Sequence, residues 1–232
     1  MSNSQTFLTL FNQIEQFLTQ LNDATEHYGF RRLVENLSKT NGLVENYKLD
    51  LVDYLELRNA IVHKSSGEPI AEPHPEVIEK MQQIYQMLTH PPRATSIAAF
   101  PVYTCTTKTP ISEAIKKMNT NFYTSIPVYH DEQFVGVFSD HSLTKWLDHI
   151  DKPLSLSNII IGQVQKYFDQ PDDKFNSYRF MPEATDVFTI RQAFIAFTKE
   201  KRRLGAIFLT KTGHKSEPID GIITAWDLPK IA

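Results

Sequence analysis

Between Thr6 and Leu21 the apolar residues fall at Phe7, Leu10, Phe11, Ile14, Phe17, Leu18 and Leu21. This is the spacing of one broad stripe along an amphipathic helix. Phe30, Leu33, Val34 and Leu37 repeat the pattern in a second segment, for which Asn41-Gly42 reads as a helix stop. A third helix is predicted from about Leu49 to His63, with Leu51, Val52, Leu55 and Val62 toward the core and Ser65-Ser66-Gly67 beyond it. The next begins at Pro75, a residue suited to the first helical position, and carries Val77, Met81, Ile84 and Leu88 before His90-Pro91-Pro92 stops it. Amphipathic helices joined by short connections predict a small bundle over residues 1–92.

After the linker HPPRATSIAAF the pattern changes and repeats. One copy reads TPISEAIKKM…TSIPVYHDEQFVGVFSDHSL and the other FTIRQAFIAF…LGAIFLTKTGHKSEPIDGIITAWDL. Gly136 aligns with Gly221 and Ser139 with Thr224 at one common offset, while Ala114 aligns with Ala193 at a shorter one. The second copy therefore has a longer turn. Helices are expected over Pro110–Asn119 and Ile190–Lys201. Ser125–Tyr129 and Phe134–Phe138 should form a hairpin around His130–Gln133, and Ala206–Leu209 and Ile219–Ile223 its counterpart. The stretch DQPDDKFN, Asp169–Asn176, is polar and reads as an exposed connection. A supersecondary unit that recurs in this way packs against its twin, and such pairs leave clefts in which small ligands bind. The fold class expected is α+β: an all-helical bundle followed by a repeated α/β unit.

Composition narrows the class. The 232 residues, 41% hydrophobic and 22% charged, are those of an ordinary globular protein. No apolar run approaches the roughly 18 residues of a membrane span. The start, MSNSQTFLTL, has no basic segment followed by an apolar core, and Cys105 is the only cysteine, so a cytoplasmic location without membrane attachment is expected. A net charge of −3 argues against a broad nucleic-acid surface. No histidine pair has zinc-ligand spacing and Cys105 has no partner cysteine, so no metal site is expected.

The repeat resembles a tandem pair of CBS domains (a Bateman module) within residues 98–232, the first copy about 98–150 and the second about 176–232. The resemblance is carried by the strand Ile126-Pro127-Val128 and by the Gly-x-hydrophobic-Ser/Thr-x-x-Asp ending, complete in the second copy as Gly221-Ile222-Ile223-Thr224-Ala225-Trp226-Asp227. It implies binding of an adenine nucleotide (AMP, ATP or a cyclic dinucleotide) as a regulatory ligand, with no further cofactor required. The Thr224 hydroxyl would meet phosphate and Asp227 the ribose hydroxyls, with Ser139, Arg203, Gly205 and Ala206 as further contacts. In the first copy Ser142 stands where that Asp would be, so at most one well-formed site per chain is expected. The local sequence also allows Thr224 and Asp227 simply to cap a helix. Likewise the cluster Lys199, Lys201, Arg202 and Arg203 can be a solvated helix end or a phosphate neutraliser.

In the third helix, Arg58-Asn59 followed by His63 resembles the R-x4-6-H motif of the HEPN superfamily of helical domains, which often dimerise and some of which cut RNA without metal. That resemblance implies Arg58 holding a phosphate, Asn59 orienting and His63 moving the proton. Five helical positions set side chains about 140° apart, so convergence needs His63 at a helix end or two motifs facing across a dimer. Alternatively Arg58 pairs with Asp53 or with Glu56 of another chain, and His63 caps the helix.

The leading expectation is a regulatory sensor of an adenine nucleotide, acting as a homodimer and driving the helical domain. A HEPN-type ribonuclease with RNA as partner is the alternative, and a ligand-free dimerisation platform the third reading.

Overall fold

The structure is a computed structural model that describes residues 2–22, 28–62, 71–150 and 155–231. The chain divides into two compact units, Met1–Pro92 and Arg93–Ala232.

The first unit is helical: α1 (Asn3–Leu21), α2 (Phe30–Leu37), α3 (Gly42–Asn46), α4 (Lys48–Ile61) and α5 (Pro75–Thr89). The stripe of α1 buries Phe7, Phe11, Ile14 and Leu18, which meet Ile78, Met81, Ile84 and Leu88 of α5 and Leu51, Tyr54 and Ile61 of α4 in one core. Asn41-Gly42 is more than a stop. The Asn41 Oδ1 accepts the backbone N–H of Leu43 and of Val44, both at 3.0 Å, and so starts the short helix α3, which the periodicity alone does not reveal.

The second unit contains the repeat. Its first copy runs β1 (Cys105–Thr106), α6 (Ile111–Asn121), β2 (Ser125–His130), β3 (Gln133–Ser139) and α7 (Asp140–Leu147). The second copy runs β4 (Ser177–Pro182), α8 (Val187–Lys199), β5 (Leu204–Thr210) and β6 (Gly221–Ile223), closing with a 3₁₀ turn over Ala225–Lys230 that contains Pro229. Each sheet has three strands in sequence order, the first pair parallel and the second antiparallel. Val128 faces Gly136 in one hairpin as Leu209 faces Gly221 in the other.

The copies are tied together by reciprocal crossings. The segment before the first copy reaches the second, where Ala99 bridges Ile222, and the segment before the second copy reaches the first, where Asp169 bridges Val137. Both crossings bring an aromatic ring onto a glycine. A Cβ on Gly136 (φ +150°) would lie 2.8 Å from Phe168 Cδ2, and one on Gly221 would lie 2.8 Å from Phe100 Cε1. The two glycines that align in the sequence are the two places where a crossing ring needs room. Between the sheets Val137, Tyr178, Ala206 and Phe208 form a buried cluster, with the Phe134 ring edge-on to Phe180 at 5.1 Å and to Tyr178 at 5.8 Å.

The polar stretch Asp169–Asn176 is exposed along its middle, as its composition suggests, but its two end residues are not. Asp169 and Asn176 are both 1% exposed. The Asn176 Nδ2 donates to Asp169 Oδ2 at 2.6 Å, the Ser142 hydroxyl donates to Asp169 Oδ1 at 3.3 Å, and Lys145 forms an ion pair with Asp173. Polar residues are buried here because they satisfy one another. Burial raises the Asp169 carboxyl above its ordinary value, opposed by hydrogen bonds from Ser139 and Asn176 and by nearby Lys145 and His141.

Two consequences can be measured. A Cβ on Gly205 would lie 2.8 Å from the Cγ of the buried Asn176, so Gly205→Ala should cost about 1–3 kcal/mol in urea denaturation. Adding Asn176→Gly should recover part of that loss, whereas strictly additive losses would mean that the two positions do not press on each other. The second consequence concerns pH. An acid whose folded pKa is raised holds its proton in the folded state while the unfolded chain has lost it, so stability falls as pH rises from the ordinary carboxylate range through the raised value. Asp169→Asn removes that titration, and its amide can donate to Asn176 Oδ1, which is buried without a hydrogen-bond partner among the described residues. The stability difference between Asp169→Asn and the parent protein should therefore move in favour of the variant as pH rises from the ordinary carboxylate range through the raised value. A difference that stays constant across that range would count against a buried, titrating Asp169.

Candidate functional site

A cleft of about 1370 Å³ opens in the second unit. One wall is the crossing segment Ala99–Thr104, and another is the end of α6 running through Phe122–Ser125 into β2. The first turns of α7 supply Asp140, Leu143 and Thr144, and the end of the second copy supplies Ile222, Thr224, Trp226 and Asp227. Both copies therefore build it.

Its chemistry is aromatic and acidic. The rings of Tyr103 and Tyr123 stack at 5.9 Å with 17° between their planes. Burial raises the Tyr103 hydroxyl's pKa, helped by a hydrogen bond with Cys105, so the phenol stays neutral. Phe122 and Trp226 are 89% and 82% exposed at the rim, unusually open for rings of that size. Phe122 takes a left-handed conformation (φ 57°), as does Lys201 (φ 57°) just past α8. Since both copies do this, it belongs to the way these helices end.

Thr224 and Asp227 both line the cleft, and they are also bound to each other. Asp227 Oδ2 accepts the Thr224 N–H at 2.8 Å and the Thr224 hydroxyl at 3.1 Å, while Asp227 Oδ1 takes the Lys230 ammonium at 2.7 Å. The capping alternative is therefore real, and it is compatible with a place on the cleft wall.

The remaining residues expected beside them are elsewhere. Ser139 is fully buried, its Oγ accepting the Ser142 N–H at 3.1 Å. Gly205 and Ala206 are buried in β5, with Gly205 against Asn176. These three belong to the place related to the open cleft by the repeat, which Asp169 and Asn176 fill from within. Arg203 lies between the two regions, its Nη2 4.0 Å from Asp140 Oδ2. Arg202 is engaged over the Phe197 ring at 4.6 Å, with Glu200 at 3.3 Å. The sequence reading missed Tyr103, Tyr123, Phe122, Trp226 and Asp140. For Tyr103, Phe122 and Tyr123 the available signal was an aromatic residue just ahead of a strand, outside any helical or strand period.

In the helical unit, Arg58 and Asn59 lie on α4, where the Arg58 Nη1 donates to Asn59 Oδ1 at 3.4 Å. Glu56 is paired with Arg31 of the same chain. His63 lies outside the described residues. Among the described residues no group of three or more His, Cys, Asp and Glu is placed to hold a metal ion, and no helix is long and apolar enough to cross a membrane.

Residues 94–149 match the family model of the CBS domain. No curated protein matches the chain. Among solved structures, it is similar to the CBS domain of a CBS domain containing membrane protein from Sphaerobacter thermophilus, at 16% identity, covering 67% of this chain and 98% of that one, with a TM-score of 0.46. It is also similar to the CBS domain protein TA0289 from Thermoplasma acidophilum, at 22% identity over 60% and 68% of the two chains, TM-score 0.43. A third is the CBS domain pair of protein MJ0100, in complex with 5-methylthioadenosine and S-adenosyl-L-methionine, at 14% identity over 60% and 94%, TM-score 0.44. The CBS-domain match thus spans the first copy of the repeat, and β4 to β6 repeat that copy's strand–helix–strand–strand order within the same α+β unit.

Proposed function

We propose that the protein is a regulatory sensor of an adenosine-containing small molecule, bound in the open cleft of the repeated unit, with the helical unit as its output. The observation that carries this reading is the convergence of the Thr224–Asp227 motif with the Tyr103–Tyr123 stack on one cleft. Aromatic faces suit a flat base, and a carboxylate that only accepts hydrogen bonds suits a pair of ribose hydroxyls. The CBS domain at residues 94–149 supports the same class of function. In this reading two chains pair about a two-fold axis. The ligand acts by binding one arrangement of that pair better than another, since only differential affinity moves such an equilibrium.

The two tryptophans provide a direct test. Trp146 is buried and Trp226 lies open at the cleft rim. Titration with adenosine, AMP, ATP and a cyclic dinucleotide, with guanosine as control, should give a saturable fluorescence change for adenine compounds that Trp226→Phe removes. Asp227→Ala should weaken binding of the responsive compound by about 1.5–3 kcal/mol in calorimetry. It should also lower stability by about 1 kcal/mol through the lost cap. Full affinity retained in Asp227→Ala would refute the assignment of this cleft.

A further inference from the structure

We propose that the second unit carries a further site, for a free α-amino acid with a large apolar side chain, between the turn of the first hairpin and the longer turn of the second.

This site is at the other end of the β2–β3 hairpin from the open cleft. The open cleft takes Ser125, where β2 begins, and Asp140, just past β3. The second cleft, of about 990 Å³, takes Tyr129, Glu132, Gln133 and Phe134 around the hairpin turn. Residues 215–219 of the longer turn complete it, together with Val102 and Thr104 of the crossing segment. Both copies therefore build this place too.

The longer turn is an ordered wall. β2 and β3 are joined by Asp131-Glu132 alone, whereas β5 and β6 are joined by residues 211–220. Within that turn the Glu217 carboxylate accepts the Thr212 N–H at 2.7 Å and the Thr212 hydroxyl at 2.8 Å, and the Gly213 N–H donates to Thr210 Oγ1 at 2.9 Å. Its far end is tied to the first copy, since the Tyr129 side chain is hydrogen-bonded to the Ile219 backbone.

With Glu217 engaged in this way, the cleft is left with one side chain of each charge, Glu132 from the first copy and Lys215 from the second. Among the described residues neither side chain forms an ion pair or a hydrogen bond, with the other or elsewhere. Opposite charges that share a cleft without closing on each other leave room for a ligand carrying the complementary pair. Glu132 is also held at φ 67°, beside Asp131 at φ 42°, in a two-residue turn whose left-handed positions favour Asn and Gly. The backbone thus gives no reason for a glutamate there. A zwitterion with its ammonium on Glu132, and its carboxylate on Lys215 and the Ser216 hydroxyl, satisfies both charges. A lone anion or cation would answer only one of them. Phe134, Ile219 and Val102 then take the side chain, and the volume suits a large one.

The test is calorimetric titration of the full-length protein with leucine, methionine and phenylalanine, followed by the amide and the N-acetyl derivative of the tightest binder. At least one amino acid should bind saturably. Blocking its carboxylate or its ammonium should each weaken binding at least about tenfold, the loss of one charged hydrogen bond. Lys215→Gln should weaken the amino acid by a similar factor and leave the affinity of its amide unchanged. Glu132→Gln should do the same with respect to the N-acetyl derivative. Both side chains are exposed, and thermal melts verify that the variants fold. Binding of none of the three amino acids would overturn the proposal. So would a blocked derivative that binds as tightly as its parent, or full affinity in either variant.

Discussion

Neither three-stranded sheet of the second unit can cover its own apolar face, and the mutual crossing of the two copies is the constraint on which the site depends. Ala99 lies against β6 and Asp169 against β3, each a backbone bridge carried by the segment that leads into the other copy. The crossings work because Gly136 and Gly221 leave room for the rings of Phe168 and Phe100. A side chain at either glycine would push a ring and its strand away, and the interdigitated cluster around Phe134 and Phe208 would lose its fit. The crossing that carries Phe100 also forms one wall of the open cleft, so packing and ligand site share the same residues.

The repeat makes two equivalent places, and the chain uses them differently. At one, Thr224 and Asp227 look out on a cleft bounded by aromatic rings. At the other, Ser139 and Ser142 stand at the corresponding turn, and the carboxylate comes from Asp169, brought in by the second crossing and held by Asn176. Loss of the motif's aspartate in the first copy is thus matched by an internal group that satisfies the same hydroxyls. The cost of burying a carboxylate is offset by those hydrogen bonds and by the Lys145–Asp173 ion pair alongside.

Much of the fold was legible because burial writes a period into the sequence. The helical stripes of α1 and α5, the hairpin strands and the aligned glycines all carry that imprint. Where the reading failed, the cause was pairing, which composition does not record. Asp169–Asn176 looks solvated because its residues are polar, and its middle is, yet its end residues Asp169 and Asn176 are buried by bonding each other. Asn41-Gly42 reads as a stop, while the Asn41 side chain also begins the next helix. The motif residues Thr224 and Asp227 were visible as a pattern, but Tyr103, Asp140 and Trp226 come together only through the crossing, from positions far apart in the chain. Gly205, Ala206 and Ser139 fall at the filled place for the same reason.

The inequality of the two places is the central claim, and binding stoichiometry tests it most directly. Equilibrium dialysis of the purified protein against radiolabelled adenosine, carried to saturation, should give one ligand per chain. Two ligands per chain would contradict it, because the second could be seated only by displacing Asp169 and Asn176.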